Sequence, residues 1–416
     1  MNDSRTQSTS ATAGMSPGMN NTPATGRSLA AAAYVFAVVM MGTTMPTPLY
    51  PEMSAAFGFG DAATTVLFAI YAIGVVAGLV IFGRLSDTLG RRPVLGVAVV
   101  LSMLSAGLFL IAGTGNGTTV GLVLMYIGRV LSGLAAGIFT STGTVTVMEN
   151  APAGRETLAA ALATAANIGG LGLGILMSGA VGSVVDTPLT GPFIVHAVLL
   201  AFAAVLLPAV RDRVVRDRTA GWLPRPQVPG MPVAARRLFA AALPGTVAGY
   251  TICGLYSSIT PNFMAAELGI SDSAVIASVV SSLFLASALG QILLRSVGDR
   301  VLMAGGSALL VLCGVLLVVA VEVGTLPLLI VSSVVGGLGQ GLVFMTGMRA
   351  MTAAVAPEER TAVTTSYFIV GYLSLTVPAM LAGMLTVPLG LVGSSVVFSV
   401  ATVVLGSAGV VLARRF

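Results

Sequence analysis

The sequence predicts an all-α membrane protein, with twelve transmembrane helices in two pseudo-symmetric six-helix bundles. Three observations carry that expectation. Of 416 residues, 56% are hydrophobic and only 8% charged, where a soluble domain would carry roughly 25% charge. The apolar residues come in runs of about 20, the length that a hydrocarbon core of about 30 Å asks of a helix. All twenty basic residues are Arg, and they gather on one side of the predicted crossings. The ten-residue alternating strands of a membrane barrel do not appear.

In chain order, residues 1–28 (MNDSRTQSTSATAGMSPGMNNTPATGRS) hold too little apolar surface to offset the entropy of ordering them, and read as a disordered cytoplasmic tail. They are not a signal peptide, since no short apolar core with a cleavage site follows. Spans are expected near 29–49, 62–83, 94–113, 119–147, 157–184 and 192–210, then near 238–260, 273–294, 301–321, 326–349, 361–385 and 389–412. The longest gap, 211–237, is Arg-rich at its ends and Pro-rich between. It reads as a cytoplasmic linker between bundles 29–210 and 238–412, and residues 413–416 as a short cytoplasmic tail.

Positive charge marks the cytoplasmic side of a span. With the amino terminus inside, nineteen of the twenty arginines fall in cytoplasmic segments and none in an outer loop; Arg129 alone lies within a span. A missed span would scatter them. Both termini are therefore expected in the cytoplasm, with the chain in a cell membrane. The same placement rules out nucleic acid as a partner despite the net charge of +5, leaving the lipid bilayer as the partner of most of the surface. Cys253 and Cys313 occupy separate apolar runs, and His196 is the one histidine, so neither a disulfide framework nor a metal site is expected. With no nucleophile–base pair and no phosphate loop, the chain reads as no enzyme and as needing no cofactor.

The halves look like copies. At an offset of 212, GRLSD (83–87) falls on RSVGD (295–299), so Asp87 meets Asp299. ENAPAGRET (149–157) resembles AAVAPEERT (353–361), each just after the fourth span of its half. Six helices duplicated within one chain characterise secondary transporters, whose substrate sits between the repeats.

Between spans 2 and 3 stands GRLSDTLGRR (83–92). Gly83 is read as letting span 2 pack closely and Gly90 as permitting a tight turn. Asp87 can pair with Arg91, Arg92 or a helix amino end. The stretch resembles the loop signature of the major facilitator superfamily, G-x-L-[SA]-D-x-x-G-[RK]-[RK], with every fixed position met by Gly83, Leu85, Ser86, Asp87, Gly90, Arg91 and Arg92. The resemblance covers roughly 29–412. It implies that Asp87 docks on the start of the eleventh helix, near Thr361, as a latch between moving halves, and that Glu149 is the acidic partner of the signature arginines. Topology-setting anchors are the plainer alternative for the arginines alone.

Span 4 holds GRVLSGLAAG (128–137). A charge inside a span costs about 2.5–3.5 kcal/mol to insert and marks a functional site by default. The stretch resembles the R-x-x-x-G pattern of the superfamily's proton-coupled drug exporters, here Arg129 and Gly133, which implies proton coupling. The other reading is that Arg129 bonds carbonyls of span 1 and fixes packing. Span 5, NIGGLGLGILMSG (167–179), has the glycines of an antiporter helix but not its proline. No carboxylate lies deep in a span: Glu52, Asp61, Asp186, Glu267, Asp272 and Glu322 are placed at the outer ends.

Helical spacing offers a cavity lining of Tyr34 and Met41 on span 1, Asn167 on span 5, Tyr250 and Ser257 on span 7, Gln340 and Phe344 on span 10, and Tyr367 on span 11. Aromatics and Met with scattered polar groups suit an apolar or amphipathic small molecule. Proton-coupled export of such a molecule by a monomer is the leading expectation. Import or facilitation of a small neutral metabolite is the alternative, and a non-transporting receptor of the same fold a more distant one.

Overall fold

The computed structural model describes residues 24–83, 85–115, 119–212 and 229–416. Residues 1–23 of the expected tail (1–28) and most of the linker lie outside the described residues. Among these described residues, eleven helices are long and apolar enough to cross a membrane, and the last, Arg360–Arg415, runs 56 residues. At 1.5 Å per residue that is about 84 Å, far more than one crossing. The run breaks at Gly390, whose φ of 70° and ψ of 176° are not helical. The Ser394 hydroxyl then donates to the Ala382 carbonyl at 2.6 Å, twelve residues back, so the chain reverses there and makes two spans. Twelve crossings result.

The other spans are Gly26–Thr44, Asp61–Phe82, Arg91–Thr114, Thr119–Glu149, Glu156–Gly182, Gly191–Leu206, Val233–Ser258, Ser273–Leu293, Asp299–Val323 and Leu326–Ala353. Among the boundaries that differ from those expected are the starts of spans 1 and 7. Span 1 starts at Gly26, because Thr25 and Ser28 cap it reciprocally, each satisfying an amide that would otherwise lack a partner. Span 7 starts at Val233 after Pro232, so 233–237 is helix rather than linker. The outward faces are apolar, as in Ile73, Val198, Val205 and Val404, all more than half exposed, which is the surface a bilayer requires.

Across the halves, span 2 packs on span 11 and span 5 on span 8. Their polar contacts concentrate at the end away from the arginine-rich loops. There the Asn262 amide donates to Asp61 at 2.6 Å, and the Ser273 hydroxyl donates to the Gly179 carbonyl at 3.1 Å. Gly383 lies so close to Thr65 that a Cβ would strike its hydroxyl. At the arginine-rich end the cross-half hydrogen bond among the described residues is Arg295 to the Thr157 carbonyl, 3.3 Å and exposed.

Candidate functional site

The loop signature folds as its residues suggest. Gly83 ends span 2, its amide bonded to the Leu79 carbonyl at 3.1 Å. Gly90 has φ 96°, a region open to Gly and strained for other residues, and starts span 3. Arg91 is nearly buried, and its guanidinium grips Glu149 with two bonds, Nε to Oε2 at 3.3 Å and Nη2 to Oε1 at 3.1 Å. Its Nη1 reaches the Ser86 hydroxyl at 2.7 Å. Arg92 donates to the Val210 carbonyl.

A residue that the sequence reading passed over completes this cluster. Asp212, just past span 6, accepts from the amides of Arg91 at 3.0 Å and Arg92 at 3.2 Å. A carboxylate is thereby set on the free amides and positive end of span 3. Asn150 secures the same segment, its side chain bonding both the amide and the carbonyl of Arg211. These described partners all belong to the N-terminal half. The Asp87 side chain, and with it the expected dock near Thr361, lies outside the described residues.

The second half carries a related cluster with its charges exchanged. Asp299, at the start of span 9, pairs with Arg349 near the end of span 10. Arg349 also donates to the carbonyls of Arg295 at 2.6 Å and Val297 at 3.1 Å.

Arg129 is fully buried. Its Nη1 donates to the Thr43 carbonyl of span 1 at 2.5 Å and its Nε to the Leu67 carbonyl of span 2 at 3.1 Å. The guanidinium lies 4.7 Å from the centroid of the Tyr71 ring and 5.9 Å from that of Phe68. Such cation–π contacts are worth about 2 kcal/mol when desolvated. Nη2 has no partner, and no carboxylate pairs with this cation among the described residues. Gly133 explains how the stack is possible. One turn beyond Arg129, it presses against the Tyr71 carbonyl and the Gly74 backbone, where a Cβ would overlap both. Small residues bring membrane helices together in this way, and here they bring Tyr71 over the cation.

A cavity lies between the halves near the middle of the spans. Span 2 contributes Phe68 and Tyr71, span 5 Asn167 and Leu171, span 7 Tyr250, Cys253 and Ser257, and span 8 Phe284. Span 10 adds Gln340, and span 11 adds Phe368, Tyr372 and Leu375. Among the described residues no charged side chain lines it. Four expected residues, Asn167, Tyr250, Ser257 and Gln340, are at its wall; the other four are not. Tyr34 turns to span 6, its hydroxyl 3.3 Å from the Leu199 carbonyl and its ring edge-on to Phe202. Met41 packs with its backbone against Gly174 of span 5. Phe344 stacks on Tyr367 at 5.1 Å and meets Tyr250 edge-on at 5.6 Å, forming a second row behind the wall. Tyr367 bonds Thr246 at 2.6 Å. His196 is buried inside the first bundle, bonded to the Val38 carbonyl at 3.0 Å, and does not reach the cavity.

The family model described as Major Facilitator Superfamily matches residues 32–243 and again 242–416. No curated protein matches the chain. Among solved structures, it is similar to a bacterial homologue of the human lysosomal transporter Spinster in an inward-facing, unoccupied conformation. The TM-score is 0.70 at 16% identity, over 93% of this chain and 96% of that one. The occupied form of that homologue scores 0.67 at 14% identity, with the same coverage. The nucleoside transporter NupG scores 0.65 at 14% identity, over 93% of this chain and all of that one.

Proposed function

The chain belongs to the major facilitator superfamily, and from that premise we propose that this multi-pass membrane transporter exports a lipophilic or amphipathic small molecule in exchange for protons. The observation that carries the reading is Arg129. A buried cation with no carboxylate partner is costly to place in a membrane, and this one is stacked on Tyr71, a side chain of the cavity wall. Whatever displaces Tyr71 changes the environment of the charge. That is the differential contact through which a ligand and an ion can bias each other.

Alternating access supplies the movement. The contacts at Asn262–Asp61 and Ser273–Gly179 part as the end away from the arginines opens, and Asp87 latches the arginine-rich end when it closes. Arg91, Arg92, Gly83, Gly90 and Glu149 shape that latch. The transporter acts as a monomer in the cell membrane, with both termini cytoplasmic.

A second reading, passage of a small neutral metabolite inward, is favoured by the uncharged cavity wall, and one similar structure is a nucleoside transporter. One experiment separates them. Neutral and cationic lipophilic fluorophores are offered to an efflux-deficient bacterial host expressing the chain, with and without a protonophore. Lower accumulation that the protonophore restores is expected. Unchanged accumulation of every dye, with the protein confirmed in the membrane, turns the reading to import.

A further inference from the structure

We infer that the cavity selects an uncharged, planar aromatic ligand with a hydrogen-bonding edge, read by the carboxamides of Asn167 and Gln340 from opposite halves. The inference rests on the cavity being the transport site, and it names the substrate class that this site takes.

The orientation of Gln340 follows from its neighbours. The Gln291 amide donates to the Ser287 hydroxyl at 3.2 Å, so that hydroxyl gives its own proton to Gln340 Oε1, 2.7 Å away. The oxygen of Gln340 is thereby occupied, and its NH2 group bonds no described residue. Gln340 is only 4% exposed and lines the cavity, so this donor opens on the cavity and little else, and a ligand acceptor there would pair it. On the facing wall, Asn167 sits in a single π-helical turn, Ala165–Gly169, that interrupts span 5. Such turns recur at functional sites because they re-aim a side chain out of the helical register. The Asn167 carboxamide bonds no described residue, so it offers both a donor and an acceptor. Ser257 adds a buried hydroxyl that also lacks a partner.

Aromatic rings supply the remaining recognition. Tyr71, Tyr372 and Tyr250 follow one another at centroid separations of 6.4 Å from one half to the other, offering faces and edges to a flat ring. Aromatic faces alone would also hold a cation. Two features disfavour one here: among the described residues no carboxylate lines the wall to neutralise it, and Arg129 already places a positive charge against Tyr71.

The test uses purified full-length protein in detergent and acridone, a neutral fluorescent tricycle with a carbonyl and an N–H at opposite edges. Anthracene has the same shape without the polar edge, and N-methylacridinium is its permanent cation. Fluorescence anisotropy should show acridone bound about tenfold or more tighter than N-methylacridinium. Asn167→Leu and Gln340→Leu should each weaken acridone about tenfold, the scale of one lost hydrogen bond to a buried group, and change anthracene less than about twofold. Gln340→Glu is close to isosteric and keeps an acceptor for Ser287. It should reverse the preference toward the cation, an outcome that a variant damaged in folding would not give.

Equal or tighter binding of the cation by the native protein overturns the inference. So does acridone affinity unchanged in both leucine variants, or no acridone binding to monodisperse protein at about 100 μM. Flux is read separately in proteoliposomes under a pH gradient. Acridone bound with the expected selectivity but never accumulated would sink the transport reading alone. Driven accumulation of the cation would sink only the assignment of ligand class.

Discussion

The two halves treat charge in opposite ways. The first buries Arg129 in the membrane among carbonyls and rings, while the second keeps its charges at helix ends and fills its middle with stacked aromatics around Tyr250, Phe344, Tyr367 and Phe368. At the arginine-rich end the halves carry the same kind of ion pair with the polarity exchanged, Arg91–Glu149 against Asp299–Arg349. A pair closes equally well either way round. The buried cation has no counterpart among the described residues of the second half.

That contrast can be broken at its strongest point. Arg129→Ala takes a charge-assisted hydrogen bond from each of the Thr43 and Leu67 carbonyls, about 1.5–3 kcal/mol each, offset in part by removal of a buried charge and by the helical amide that Leu67 keeps. Unfolding stability should fall by about 2 kcal/mol, and gradient-driven transport by about tenfold or more. A thiol-reactive fluorogenic dye reads the first, since Cys253 and Cys313 are both buried. Full gradient dependence in this variant would reduce Arg129 to packing. Gly133→Ala comes next. Its methyl group would press on the Tyr71 carbonyl, and overpacking of this kind costs about 1–3 kcal/mol. The dye should again report a lower melting temperature, now with the cation intact.

The clasps give smaller effects and a sharper comparison. Glu149→Gln should slow transport several-fold in proteoliposomes, because Arg91 keeps one acceptor there but loses the other and the opposing charge. Asp299→Asn should do less, since Arg349 keeps the Arg295 and Val297 carbonyls. Equal losses would mean that the halves are more alike in function than in contact. Asp212→Ala is the mildest change, removing a cap from span 3 for about 1 kcal/mol. It should lower the melting temperature by a few degrees without altering substrate affinity.

Much of this was legible in the sequence because membranes impose simple arithmetic. Run lengths and the side on which Arg falls gave twelve crossings, and Gly90 and Arg129 announced themselves by being out of place. The cavity was harder to read. On spans that are apolar all round, periodicity points to no face, so Tyr34 was expected inside although it turns to Leu199. On span 11, Tyr367 was expected at the wall. The wall is the neighbouring stripe of Phe368, Tyr372 and Leu375, about 100° around the helix. Phe68 and Tyr71 were missed for the same reason. Asp212 was missed because it caps a helix more than a hundred residues away in the chain, a contact that no local pattern encodes.

The turn at Gly390 has a consequence for how the protein is made. Spans 11 and 12 are joined with almost nothing between them: Pro388 and Leu389 still belong to the helix, and Leu391 resumes it. A nascent chain emerging from the ribosome therefore has no polar segment at that point on which to halt between two insertion events. The pair should enter the lipid together as a preformed hairpin. The completed protein then presents at that corner no loop for a protease to cut or an antibody to grasp.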